Sequence, residues 1–447
     1  LYLSATRRFT GVEENASSLH TALALFKQKA ELRGQILTLA LLIEASAYRG
    51  RDIIPMGILV EEAENLLHLI PFERYPWESA TLWLQLGFGV ALRGGDQRKG
   101  YEAFQNAYLL SRSIGNSPLQ IAALVNSILD LSILGEFELS EKMSQKAILI
   151  LEKEPYPELR ALYLLHYSMA CTTQGKLSLA NDCVNEAKEL LQEHGLIYLY
   201  PLALLSELML MPQMGDFKKG EETGRQLLEF SKGFGLKFIK ALAFMCLGTC
   251  YYLKQDYKAA GEYFKASCRI VFDDDSYSEN HIMFNKIFMG IVYIHQNELE
   301  RAEILLKEAL DHSIEISSHL ITIFSNWALA FVNHTLNCRN KTIYHLKAGI
   351  KVAQDHDIYY FMWMNEEDIL RVGQLCIEFN LKEIELYIAH LFALRPAGST
   401  VGILQRHINQ TPQKTKRMAH NILGYVHRFH LPRILVVTIN NFSVYRN

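Results

Sequence analysis

The chain has 447 residues, 49% of them hydrophobic and 21% charged, with a formal net charge of −3. That length suits two or three ordinary domains or one long repeat array, and the apolar content excludes global disorder. The small net charge leaves no electrostatic footprint for nucleic acid over the chain as a whole.

The seven cysteines (Cys171, Cys183, Cys246, Cys250, Cys268, Cys338 and Cys376) include no Cys-x-x-Cys pair. They read as buried thiols in a reducing cytosol, so a cytoplasmic location is expected. Cys246 and Cys250 share a helix face, but no histidine pair stands at zinc spacing beside them, and no metal is expected. The sequence has no signal-peptide pattern and no run of 18 uninterrupted apolar residues. The chain begins at Leu1 rather than Met and stops just after a strand-like segment, so both ends read as cuts through a longer protein.

In chain order, residues 14–30 read as the second helix of a unit whose first half is cut off. Helix pairs follow at 33–48 with 56–70, 78–93 with 97–113, 117–133 with 138–153, 157–173 with 177–193 and 197–213 with 218–233. They continue at 236–253 with 258–272, 278–295 with 299–315, 318–335 with 340–355 and 358–377 with 381–393. The turns at Gly95, Gly135, Gly175, Gly215 and Gln255 are each 40 residues apart. Glycine suits the left-handed position that ends a helix, and an acidic residue often follows it, as at Glu136, Asp216 and Asp256, placed to cap the next helix. Pro212, near the end of a first helix, should remove a backbone bond and bend or shorten that helix.

The clearest pair is 248–267. Small residues (Gly248, Ala260, Ser267) stand where helices approach, and aromatics (Tyr251, Tyr257, Phe264) fill the gap between them. Gly290, Tyr293, Leu299, Ala302 and Ala309 repeat that spacing. This pattern resembles the tetratricopeptide repeat, with a period of about 40 residues rather than the usual 34. The longer unit resembles the helical-repeat domains of MalT-like bacterial transcription regulators. The resemblance implies an all-α fold over 1–395: a right-handed superhelix, or α-solenoid, of about nine helix pairs.

After Pro396 the beat is lost. Residues 396–432 read as a linker with a short basic helix (Lys414, Lys416, Arg417, His420, His427, Arg428). Residues 433–447 read as a β-hairpin: Ile434 to Ile439 is apolar and mostly β-branched, and Asn440-Asn441 signals a turn. Ile434, Thr438, Phe442 and Val444 resemble the opening strands of an OmpR-like winged-helix domain, which implies that DNA is met only by a domain beyond residue 447.

No phosphate-binding glycine loop, nucleophile elbow or H-E-x-x-H is present. The acidic run Asp273-Asp274-Asp275 lacks the glycine and distal glutamate of a calcium loop and reads as a solvated turn. The histidines at 166, 281, 334 and 345 are dispersed over different helices. No catalytic residue, cofactor or metal is therefore expected.

The resemblance places first helices on the inside of the superhelix, whose concave face is the usual binding surface. Counting in steps of three and four from Gly248, the inward positions are Gln85 and Leu92; Val125, Leu129 and Ser132; Leu165, Met169 and Thr172; Leu205 and Met209; Met245, Thr249 and Tyr252; Ile287, Ile291 and Ile294. The lysine and asparagine that carboxylate-binding repeats use are missing there, so a charged C-terminal peptide is not expected. An apolar lining of this kind either takes an amphipathic helix, a partner protein or a small effector, or packs on itself. The neighbouring Asn126, His166, Tyr167, Asn326 and Trp327 are candidates to orient a ligand. Two functions follow: a non-enzymatic sensor region of a bacterial regulator that acts through self-association, or a stand-alone interaction scaffold. No membrane partner is expected.

Overall fold

Each 40-residue period ends in the same local geometry, and that geometry sets the fold. Gly135, Gly175 and Gly215 have φ of 87°, 76° and 82°, and Gln255 holds the equivalent place at 65°. Around each, the next amide reaches back five residues: Glu136 N–H to Leu131 O at 2.8 Å, Lys176 to Cys171 at 2.9 Å, Asp216 to Met211 at 3.0 Å and Asp256 to Tyr251 at 2.9 Å. This 6→1 bond closes one helix and aims the chain into the next. Asp216 and Asp256 then cap, each Oδ1 accepting an amide three residues on at 3.0 Å. Glu136 makes no such cap. Its carboxylate pairs instead with Arg98 at 2.7 Å.

The computed structural model describes residues 13–49, 56–70, 73–91, 97–154, 156–233, 237–272, 279–315, 317–394, 401–402, 404–405, 413–430, 434–439 and 441–446. Helices α1 (Glu13–Gln28), α2 (Leu32–Arg49), α3 (Met56–Leu69), α4 (Pro76–Gly89) and α5 (Gln97–Ser113) come first. Next are α6 (Ser117–Leu134), α7 (Phe137–Leu151), α8 (Pro157–Thr173), α9 (Leu177–Glu193) and α10 (Tyr200–Leu210). Then come α11 (Phe217–Gly233), α12 (Lys237–Leu253), α13 (Tyr257–Phe272), α14 (Glu279–His295), α15 (Leu299–Glu315) and α16 (His319–Thr335). The last are α17 (Arg339–Asp355), α18 (Glu366–Glu378), α19 (Glu385–Ala393) and α20 (Gln413–His430). Two strands, β1 (Ile434–Ile439) and β2 (Asn441–Arg446), pair antiparallel with Val436 opposite Val444. Leu92, Gly95 and the acidic run at 273–275 lie outside the described residues.

First and second helices bury differently. The second helix α9 fully buries one stripe, Ala180, Cys183, Val184, Ala187 and Leu191, and its other positions are half-buried or exposed. The first helix α6 buries nearly all round, with Ile121, Ala123, Leu124, Val125, Ile128, Leu131 and Leu134 all at 0% exposure. A helix apolar on every side must be enclosed on every side. Among the described residues α6 alone is long and apolar enough to cross a membrane, and this burial among neighbouring helices accounts for its composition. Close approach within pairs depends on glycine. A Cβ on Gly87 would lie 2.6 Å from Phe104, and one on Gly248 2.6 Å from Phe264. Pro212 sits in a 3₁₀ turn, Met211–Met214, and α10 stops at Leu210.

The chain divides into two compact units. Unit 1 is Leu1–Ala328 with the detached strip Phe361–Trp363; unit 2 is Leu329–Tyr360 with Met364–Asn447. In unit 2, α20 packs on α19 through buried Met418, Ala419, Ile422 and Val426, so the basic helix has an apolar face in a core. The Arg371 and Arg339 guanidinium groups lie 4.6 and 4.7 Å from the Phe331 and Phe379 ring centroids.

One expected element is corrected. Residues 358–377 do not form a single helix: 358–365 are non-helical and α18 begins at Glu366. Asn365 is the cause. Its Oδ1 accepts the Asp368 amide at 2.8 Å, and three acidic residues fill the first turn, where the helix dipole favours them.

Candidate functional site

The inward positions of unit 1 fall into distinct places. Leu129 of α6, Met169 of α8, Leu205 and Met209 of α10 and Met245 of α12 come together in one apolar cluster, with Leu208 and Cys246. Val125 and Leu165 are at 0% exposure in the neighbouring cluster. Tyr252, Ile287 and Ile291 are likewise closed to solvent, the Tyr252 ring lying against Tyr257 and Phe288. Gln85, Leu129 and Met245 are half-buried. The hydroxyls of Thr172 and Thr249 both donate within their own helices, to Ser168 O at 2.8 Å and Met245 O at 3.1 Å. The inner wall of unit 1 is therefore closed over most of these side chains.

Two contacts show how far the closure reaches. Helix α2 touches α12. The His319 imidazole meets the Glu136 carboxylate at 3.4 Å, across 183 positions of sequence.

A third element closes the wall. The strip Phe361-Met362-Trp363, from the stretch expected to be helical, is buried to 2%, 3% and 8% exposure. Phe361 meets the ring of Trp327 at 4.6 Å and that of Phe324 edge-on at 6.0 Å. Trp363 meets Phe284 at 4.8 Å and Phe324 at 6.1 Å. Met362 and Trp363 also cover a small cleft lined by Leu208, Met209, Pro212, Cys246 and Thr249, with room for about one water molecule. Thr249, an inward position from sequence, thus lies under the strip. The strip is what the reading by helical spacing missed, and Asn365-Glu366-Glu367-Asp368 is the signal that would have freed it from the helix.

The candidates to orient a ligand are engaged in structure. Asn126 and Asn326 donate from Nδ2 to carbonyls one turn back, at 2.8 and 2.9 Å. The Tyr167 hydroxyl donates to Glu141. His166 Nδ1 lies 3.0 Å from Leu162 O, and burial pushes the imidazole down to about 4, so it stays neutral near pH 7. Trp327 differs: it is fully buried and its Nε1–H has no acceptor. A buried donor left unmet costs about 1–3 kcal/mol. Burial also pushes the Cys246 and Cys250 thiols up to about 12, so near pH 7 both are neutral thiols. The wall offers aromatic and aliphatic surface, thioethers, neutral thiols and one unmet indole donor. That chemistry suits burial of an apolar segment.

No protein-family model and no curated relative matches the chain. Solved structures do match. A Rap protein complexed with competence and sporulation factor aligns at a TM-score of 0.50 and 12% identity, over 90% of this chain and 98% of that one. A signal transduction ATPase with numerous domains and a tetratricopeptide repeat sensor, from Pyrococcus horikoshii, aligns at 0.39 and 17% identity, over 77% of this chain. The chain spans 53% of that protein's length. Yeast Tom70 aligns at 0.37 and 12% identity, over 93% and 96% of the two chains. With the 40-residue beat and the helix pairs in hand, the fold is that of a tetratricopeptide-like helical-repeat protein.

Proposed function

We propose that the chain is a non-enzymatic binding module in which the inner wall of unit 1 receives a segment of another protein or a peptide. The carrying observation is the strip itself: three apolar residues without helical structure are seated against α10, α12, α14 and α16. A wall that accommodates such a segment has the right surface for peptide capture, with aromatic side chains as anchors. Thermal shift of the full chain against a panel of peptides and small metabolites tests this. A ligand at about 100 times its Kd adds about 2.7 kcal/mol, and a panel without any stabilising member speaks against binding.

The module belongs, in this reading, to a larger cytoplasmic transcription regulator. The antiparallel pair β1–β2 after α20 supports it, as the start of a winged-helix domain. So does the basic character of α20, which suits contact with phosphates near such a domain. Ligand capture would then alter self-association and so the flanking activities. The test is the coding sequence on either side. A Walker motif upstream and a helix-turn-helix downstream are required; lacking both, the protein is an interaction scaffold.

A further inference from the structure

The seat of the strip is specific in chemistry. Phe361 and Trp363, two positions apart, share Phe324 between them, and each has a second aromatic partner of its own, Trp327 and Phe284. Met362, a flexible thioether, fills the remaining gap beside Thr249 and Cys246. The occupant is also incomplete. Trp327 Nε1–H stays unbonded in full burial, and the cleft under the strip keeps space for about one water.

We infer that Phe361-Met362-Trp363 is an internal stand-in for a partner peptide of the same chemistry, an aromatic–x–aromatic segment with a flexible apolar residue between. The partner binds by displacing the strip. This rests on the binding function proposed above and names its ligand class. A tethered segment competes at an effective concentration on the order of millimolar, so the free partner meets a seat that is mostly taken. Emptying the seat raises the partner's apparent affinity by the inverse of the free fraction.

The test uses the full chain and a labelled synthetic peptide with the sequence of residues 358–365, followed by fluorescence anisotropy. The Phe361→Ala/Trp363→Ala double variant is expected to bind it at least about tenfold more tightly than the unaltered chain. A peptide with both aromatics replaced by alanine is expected to bind neither. A double variant with native circular dichroism and no gain overturns the inference. If that variant does not fold, Trp363→Phe and Phe361→Leu take its place, with a smaller gain expected. If these also unfold or bind no better, the strip is ordinary core and the inference falls. A chain that ignores this peptide yet is stabilised by another ligand loses the stand-in but keeps the binding function. A chain stabilised by nothing loses both.

Discussion

The rings of Trp327 and Phe361 lie 4.6 Å apart at 61°, an edge-to-face pair between a first helix and the strip. Such a pair adds about 0.5–1.5 kcal/mol beyond its buried area. The indole is fully buried but its N–H is unbonded. Trp327→Phe keeps an aromatic ring and removes the unmet donor, so a small cavity and a relieved penalty offset each other. It is expected to change stability by no more than about 1 kcal/mol. Trp327→Ala is expected to cost about 3–5 kcal/mol. Urea unfolding of the two variants checks this. A Trp327→Phe cost approaching that of alanine would mean that the N–H is satisfied in solution.

Two glycines in adjacent helices should respond to alanine with opposite signs. At Gly248 a Cβ would stand 2.6, 2.7 and 3.0 Å from three atoms of the Phe264 ring. That ring is fully buried and stacked at 5.2 Å on Phe288, so it has no room to yield. Gly248→Ala is expected to cost about 1–3 kcal/mol. At Gly261 the nearest atom is Val292 Cγ1, at an ordinary 3.4 Å. Inside α13 the alanine there gains helix propensity, and Gly261→Ala is expected to be neutral or to stabilise by up to about 1 kcal/mol. Thermal melts of the two single variants decide it.

The pairing of Gly248 with Phe264 was legible in the sequence, as were the turn positions. Both are local: a residue that must be small faces one that must be large, and a left-handed residue must end a helix. The grouping of Met169, Leu205 and Met245 was legible too, because steps of three and four follow from helix geometry alone. Their depth was not, because an apolar residue facing a groove and one facing a core look alike in sequence. The closure through α2 with α12 and Glu136 with His319 depends on small rotations summed over several helix pairs, which no local pattern encodes. The strip was hidden for another reason. Ile358 to Met364 is apolar throughout and carries no helical period, so the neighbouring pattern was extended across it.

The turn at Gln255 repeats Gly215 with a less suitable residue. Both sit in the left-handed region, at φ of 65° and 82°. A side chain there costs about 1 kcal/mol that glycine does not incur. Gln255→Gly is expected to stabilise by up to that amount. Gly215→Ala is expected to destabilise by a similar amount through backbone strain alone, since no atom lies within 4 Å of the added Cβ. Chemical unfolding midpoints measure both, and a stabilising Gly215→Ala would contradict the left-handed assignment.

Two buried titratable groups give pH dependences of opposite sign. Burial holds His166 down to about 4, partly opposed by its bond to Leu162 O. The folded value lies below the unfolded 6.5, so the native state resists protonation. Its contribution is complete above pH 6.5 and is lost as pH falls toward 4, by about 3 kcal/mol in all. Asp130 behaves in reverse. Burial raises it well above 3.8, and its Oδ2, facing Gly100, has no partner. With the folded value above the unfolded one, its contribution is complete below 3.8 and is lost as pH rises through the folded value. Asp130→Asn removes the buried charge and is expected to stabilise at pH 7 while flattening the alkaline side of the profile. His166→Gln is expected to flatten the slope between pH 6.5 and 4. Stability measured across pH for the two variants separates the groups, and an unchanged acid limb in His166→Gln would show that His166 titrates freely.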